Sequence, residues 1–200
     1  MKALIVYAHP REESFSHALL QRVTKALEAK NYQVTVRDLY QMKFNPVLDG
    51  PDMIHIEDKQ FVRENKQFPT DVKQEMDYML ASDLYIYIFP SWWNGMPAIM
   101  KGYVDRVFQH GFAYSFENEE VKKQFDGKRA LFFTPTGQPQ EIDGKENPLT
   151  GAIRMLTSGW LFNSNNVQVV DHVFYGSVPY LTREELALYL EDAEKRIATL

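Results

Sequence analysis

The chain has 200 residues, 44% apolar and 24% charged, which is enough for one ordinary globular core and points to a single domain over 1–200. A net charge of -5 offers no basic field to nucleic acid or an anionic membrane, and the lack of cysteine removes disulfides, thiolate catalysis and cysteine-based metal sites, so no metal is expected. The apolar run behind Lys2 is too short for a signal-peptide core, and no segment reaches bilayer length; the expectation is a cytoplasmic protein with no integral membrane segment.

Residues 2–8 (KALIVYA) form a short run of β-formers, read as a buried strand. The polar loop 9–16 (HPREESFS) breaks it, and Ser16 caps a helix running to about Lys30, with Leu19, Leu20, Val23 and Leu27 at helical spacing. Residues 32–39 alternate as a second strand. The stretch 40–69 is long and polar, and carries Pro46, Gly50 and Pro51; a connection of that length in a compact domain is usually functional or partly disordered. Thr70 caps a helix to about Ala81, and 83–89 (DLYIYIF) is a third strand. A turn at 90–95 leads to a helix opened by Pro97 and running to about Phe108. A fourth strand follows at 128–134, then a polar loop to about Asn147, a helix over 149–162, a fifth strand at 167–174 and an amphipathic helix capped by Thr182.

Alternation of this kind predicts an α/β fold: a doubly wound, five-stranded parallel sheet with helices on both faces. Ligands of such sheets bind beyond the carboxyl ends of the strands, at the switch point. The informative loops therefore follow strands one, three and four. The first holds His9, Arg11, Ser14 and Ser16 at a helix start, where free N–H groups and the dipole suit phosphate; Ser16 acting only as a cap, with His9 a plain polar residue, is the competing reading. The third loop holds adjacent Trp92 and Trp93 between prolines. Adjacent residues leaving a strand point to opposite sides, so one ring is expected to line a flat pocket and the other to pack beneath the turn. In the fourth, Thr136 and Gly137 can bring backbone amides close to a ligand. Aromatic residues, 14% of the chain, suit either a Phe-rich core or a planar ligand and a subunit interface.

The segments ALIVYAHPREESFSHAL, DLYQMKFNPVL, ASDLYIYIFP and SWWNGMPAIMKGYVDRVFQHGFAYSF, in this order and spacing, resemble the NAD(P)H:quinone oxidoreductases of the flavodoxin-like superfamily, the DT-diaphorase group. The likeness covers about the first 140 residues and is general beyond Leu149. It implies a bound flavin, FAD rather than FMN because the first loop matches FAD-using members at Phe15 and in length. It also implies NAD(P)H as co-substrate, ping-pong hydride transfer to a quinone or similar small acceptor, and a homodimer. By that likeness His9, Ser14, Phe15, Ser16 and Ala18 hold the flavin phosphate or pyrophosphate. Pro90, Ser91, Trp92, Trp93 and Asn94 line the isoalloxazine, and Thr136, Gly137 and Gln138 reach its polar edge. Tyr114 and Phe116 match aromatic positions that a partner subunit adds to the substrate pocket. The interface itself is expected in 102–116, which is aromatic-rich and carries few charges.

One feature departs from the family. A Tyr and a His that follow the Thr-Gly loop in its best-known members have no counterpart, Asp143 and Leu149 standing there instead. Two rival readings are a one-electron carrier like the true flavodoxins, whose T-x-T-G-x-T loop HPREESFSH does not match, and a flavin-bearing regulatory subunit of a potassium-efflux system.

Overall fold

The computed structural model describes residues 1–63, 65, 67–116, 118–163 and 165–200. Its central sheet contains β1 (Lys2–Tyr7) and β2 (Gln33–Asp38), joined by α1 (Phe15–Ala29). A short hairpin, β3 (Ile54–Glu57) and β4 (Gln60–Arg63), precedes α2 (Thr70–Ala81), β5 (Leu84–Ile88) and α3 (Ala98–Val107). After α4 (Glu120–Lys123) come β6 (Arg129–Pro135) and a second small hairpin, β7 (Glu141–Ile142) and β8 (Lys145–Glu146). The chain ends with α5 (Pro148–Arg154), a π turn (Met155–Gly159), α6 (Trp160–Asn163), β9 (Gln168–Tyr175) and α7 (Arg183–Ala198). The five main strands lie in the order β2-β1-β5-β6-β9, all parallel. The fold class read from the sequence is therefore the one observed.

Strand alternation splits the core into two layers. Ile5, Tyr7, Ile86, Ile88 and Phe133 pack under Leu19, Val23 and Leu27 of α1 and Ala193 and Ile197 of α7. Leu4, Val6, Tyr85, Tyr87 and Phe132 face Val72, Met76 and Met79 of α2, Met100, Tyr103 and Val107 of α3, and Phe162 of α6. β1 and β5 are buried along nearly their whole length, as their unbroken apolar runs require. β2, at one edge, is only half-buried.

Several local expectations are corrected. Ser14, not Ser16, caps α1: its Oγ accepts from the His17 amide at 3.1 Å, while Ser16 is buried inside the helix. Thr70 is itself helical behind Pro69 and makes no capping bond. The helix read over 149–162 is interrupted by the π turn. The long polar stretch after β2 holds the β3–β4 hairpin, whose Asp58 and Lys59 both have positive φ, as a tight two-residue turn needs. Thr182 does cap α7, in a reciprocal box with Glu185.

Buried charge fastens this stretch to the helices. Arg106, nearly fully buried, donates to Asp52 at 2.7 Å, to Asp71 at 2.6 Å and to the Asn45 carbonyl at 2.9 Å. A Cβ on Gly102 would lie 2.2 Å from the Pro46 carbonyl oxygen, so 46 and α3 meet only because residue 102 has no side chain. The free edge of β9 is closed by side chains: Arg154 donates to the His172 carbonyl at 2.6 Å, Gln140 donates to that of Phe174, and Asp171 accepts from the His172 amide at 2.7 Å. Those contacts occupy backbone groups that would otherwise invite another strand.

Candidate active site at the carboxyl edge of the sheet

β1 leads through α1 to β2 on one side, whereas β5 lies on the other side of β1, so the loops after β1 and β5 diverge at the switch point. Those loops are tied together. The Ala8 amide donates to the Ile88 carbonyl at 3.0 Å, and the His9 ring meets the Trp92 ring edge-on at 5.7 Å. The Ser91 amide donates to the Pro135 carbonyl at 2.8 Å, which joins the third loop to the fourth. The three loops chosen from the sequence thus form one continuous rim.

At the first loop, α1 begins with the amides of Phe15 and Ser16, which by helix geometry have no intrahelical acceptor. His9 uses Nδ1 toward the Arg11 backbone, at 3.1 Å from its amide, and burial lowers its pKa. Beneath this start lies Tyr7, fully buried, with a hydroxyl that makes no well-formed hydrogen bond among the described residues. Burial pushes that phenol up to about 12; Ser14 pulls the other way, and Asp38 and Glu12 add to the rise. A buried hydroxyl left poorly bonded costs up to about 1–3 kcal/mol, a cost that a polar group of a ligand could offset.

The third loop is a two-residue turn closed by the Trp92 amide on the Gly95 carbonyl (3.0 Å) and the reverse bond (3.2 Å). Its central residues Trp93 and Asn94 have φ of 50° and 59°. A bulky residue is disfavoured in the left-handed region, and such positions cluster at functional sites. The sequence expectation of one buried tryptophan is not met: Trp92 is partly exposed against His9, and Trp93 is fully exposed at 101%. The rim thus presents a large flat ring whose solvent side no neighbour covers.

In the fourth loop, the Thr136 amide donates to the Tyr175 carbonyl at 2.8 Å and its hydroxyl to the Gln138 carbonyl at 2.6 Å. The Ser177 amide donates to the Gln138 carbonyl at 2.9 Å, and the Val178 amide to that of Thr136 at 3.0 Å. Gly176 makes this apposition possible, since a Cβ there would lie 2.7 Å from the Gln140 nitrogen. Gly137 and Gln138 are exposed. Asp143 sits at φ 53°, ahead of Gly144, at the exposed tip of the β7–β8 hairpin.

Of the residues singled out from the sequence, His9, Ser14, Pro90, Ser91, Trp92, Trp93, Asn94, Thr136, Gly137 and Gln138 lie on or immediately below this rim. Ser16 contributes through its amide, and Ala18 is half-buried in the first turn of α1. The Phe15 ring lies edge-on to Tyr175 at 5.9 Å and near Tyr189 at 6.2 Å. Tyr114 and Phe116 join a separate aromatic group with Phe61 and His110; Phe116 lies 5.4 Å from Phe61. Sequence reasoning missed the buried Tyr7 hydroxyl, hidden inside an apolar run, and His172, described below.

A family model described as flavodoxin-like fold matches residues 1–197. The chain belongs to the flavodoxin-like family. An uncharacterized NAD(P)H oxidoreductase of Haemophilus influenzae is 34% identical to this flavodoxin-like chain over 180 residues, covering 89% of it and 85% of the relative. NAD(P)H dehydrogenase [quinone] 1 of Rattus norvegicus is 30% identical, covering 100% of this chain and 77% of that one. Among solved structures, an NAD(P)H:quinone oxidoreductase from Methanothermobacter marburgensis superposes with a TM-score of 0.81 at 23% identity, over 98% of this chain and 94% of that one.

Proposed function

We propose that this chain is a flavin-dependent NAD(P)H oxidoreductase acting on a quinone or similar small acceptor, and that the rim of the three loops is its flavin site. The observation that carries the reading is that three loops separated in sequence converge at the switch point, with a phosphate-suited helix start at one end and an exposed indole at the other. The names of the Haemophilus and rat relatives agree with it. Two features fit the cofactor: the poorly satisfied Tyr7 hydroxyl beneath the start of α1, and the left-handed turn that holds Trp93 outward. The flavin, when bound, supplies the hydride chemistry between NAD(P)H and acceptor.

The protein's part is to bind and orient. Amides at the start of α1, with Ser14 and His9, hold the phosphate or pyrophosphate. Pro90, Ser91, Trp92, Trp93 and Asn94 form the platform for the ring system. The amides of Gly137 and Gln138, which bond no neighbouring backbone among the described residues, serve its polar edge, where fixed donors matter most in a site that excludes water. FAD is the first choice of flavin and FMN the second. Heat release and identification of the cofactor decides between them, and a protein that stays colourless after soaking with both refutes the reading. A one-electron carrier differs in needing a separate reductase, so rapid reduction by NAD(P)H alone excludes it.

The same proposal includes a homodimer in the cytoplasm. The stretch 102–116 does not supply a broad apolar surface, because Tyr103, Val104, Val107, Phe112 and Ala113 are taken up by the chain's own core. Large apolar side chains are instead exposed at Met155, Leu156 and Trp160, around the π turn, and at Phe116. A second copy covering these, and bringing Tyr114 and Phe116 to the acceptor side of the site, is the arrangement the surface favours. Sedimentation equilibrium of the parent and of Leu156→Glu tests it; a monomer at every concentration removes the dimer from the proposal.

A further inference from the structure

His172 lies near the middle of β9, 2% exposed, and its ring is stacked on Phe174 at 4.1 Å and tilted against Phe132 at 5.0 Å. Both its nitrogens are engaged. Nε2 is 2.9 Å from the Thr134 hydroxyl on β6; Nδ1 is 2.9 Å from the Ser158 hydroxyl and 3.4 Å from that of Thr157, both in the π turn. The hydroxyl protons of the π turn are already committed. Thr157 donates to the Ile153 carbonyl at 2.7 Å, and Ser158 to that of Arg154 at 3.3 Å. Each hydroxyl has one proton, so toward the imidazole both oxygens can only accept. On that assignment of the hydroxyl protons, the neutral ring carries its proton on Nδ1 and Nε2 accepts from Thr134. Burial, reinforced by Arg154, keeps the ring neutral by lowering its pKa to about 3.

The two residues beyond Thr134 are junctions of the rim. The Pro135 carbonyl accepts from Ser91, and the Thr136 amide reaches Tyr175. The ring of Phe89, the residue before Pro90, lies 6.4 Å from the imidazole. We propose that His172 is a positioning residue for the flavin site: by accepting from Thr134 and donating to Ser158, it holds the base of the 136–138 loop against the π turn and so fixes the amides offered to the polar edge of the flavin. This rests on the flavin reading above.

The test uses Thr134→Val, which removes the hydroxyl at nearly constant shape, together with His172→Gln and His172→Asn. Gln keeps an acceptor near the Nε2 position, whereas Asn reaches only the Nδ1 position. In the purified chain, Thr134→Val and His172→Asn are expected to speed amide exchange at Thr136 and Val178 about fivefold, as loss of one hydrogen bond implies, and to raise the dissociation constants of FAD and FMN by a similar factor. The Thr134→Val/His172→Asn double variant should be no worse than either single one, and His172→Gln, which keeps the bond to Thr134 but gives up the one to Ser158, should be affected less than His172→Asn. If Thr134→Val lowers the melting temperature but leaves exchange at Thr136 and Val178 and flavin affinity unchanged, His172 only fills the core and the proposal is overturned. If the parent binds no flavin, the functional reading fails by itself, and with it the role in flavin positioning; the exchange data then still decide whether His172 holds the loop.

Discussion

Replacing Trp93 by asparagine separates the folding role of the 92–95 turn from its binding role. Trp93 and Asn94 both occupy the left-handed region, at φ 50° and 59°. An ordinary L-residue loses about 1 kcal/mol there, and asparagine much less. No packing is sacrificed, because the Trp93 ring is fully exposed. The variant should therefore be more stable by about 0.5–1 kcal/mol, a rise of about 1–4 °C in Tm at this chain length. Ligand binding should move the opposite way. Loss of an aromatic platform costs about 1 kcal/mol of stacking, or about fivefold in flavin dissociation constant. Calorimetry of the apoprotein and fluorescence titration with FAD and FMN give the two numbers. A Tm that falls by several degrees, with flavin affinity unchanged, would refute the reasoning: the ring would then be a packing element, covered in solution by something other than a ligand.

Three further outcomes follow from the packing. Arg106→Leu leaves the buried Asp52 carboxylate without its cation and should destabilise the fold by about 3–5 kcal/mol in urea titrations; a loss under 1 kcal/mol would show that the network is ornamental. Asp143→Asn should leave the pH profile of quinone reduction unaltered, since the residue stands on an exposed hairpin tip; a profile that shifts would bring the carboxylate into the site. For His172, the folded pKa of about 3 lies below the unfolded value, so the unfolded chain takes up a proton below about pH 6.5 that the folded chain refuses. Its contribution is complete above pH 6.5 and is lost as pH falls toward 3. The stability of the parent relative to His172→Gln should fall by about 2 kcal/mol between pH 7 and pH 5, and an unchanged difference counts against a neutral buried imidazole.

Much of this protein was legible in its sequence. The apolar runs at 2–8 and 83–89, rich in β-formers and with no polar face alternating through them, read as buried parallel strands, and the structure has them so. The alternation of strands and helices then singled out the loops at 9–16, 90–95 and beyond 134, which the structure brings together on one rim. The local segments GYVDRVFQHGFAYSF and SWWNGMP were also readable, but not what their rings touch. Which tryptophan faces solvent depends on the left-handed turn at Trp93 and Asn94. Which aromatics of 102–116 remain exposed depends on how much of α3 the core absorbs. The π turn that brings Thr157 and Ser158 to His172 has no periodic signature, and the partners of that imidazole come from three separate elements, β6, the π turn and β9. Hydrophobic period reports which face of an element is buried; which buried polar atoms then meet is decided only when the layers close, because a hydrogen bond depends on positions set by every element packed around it.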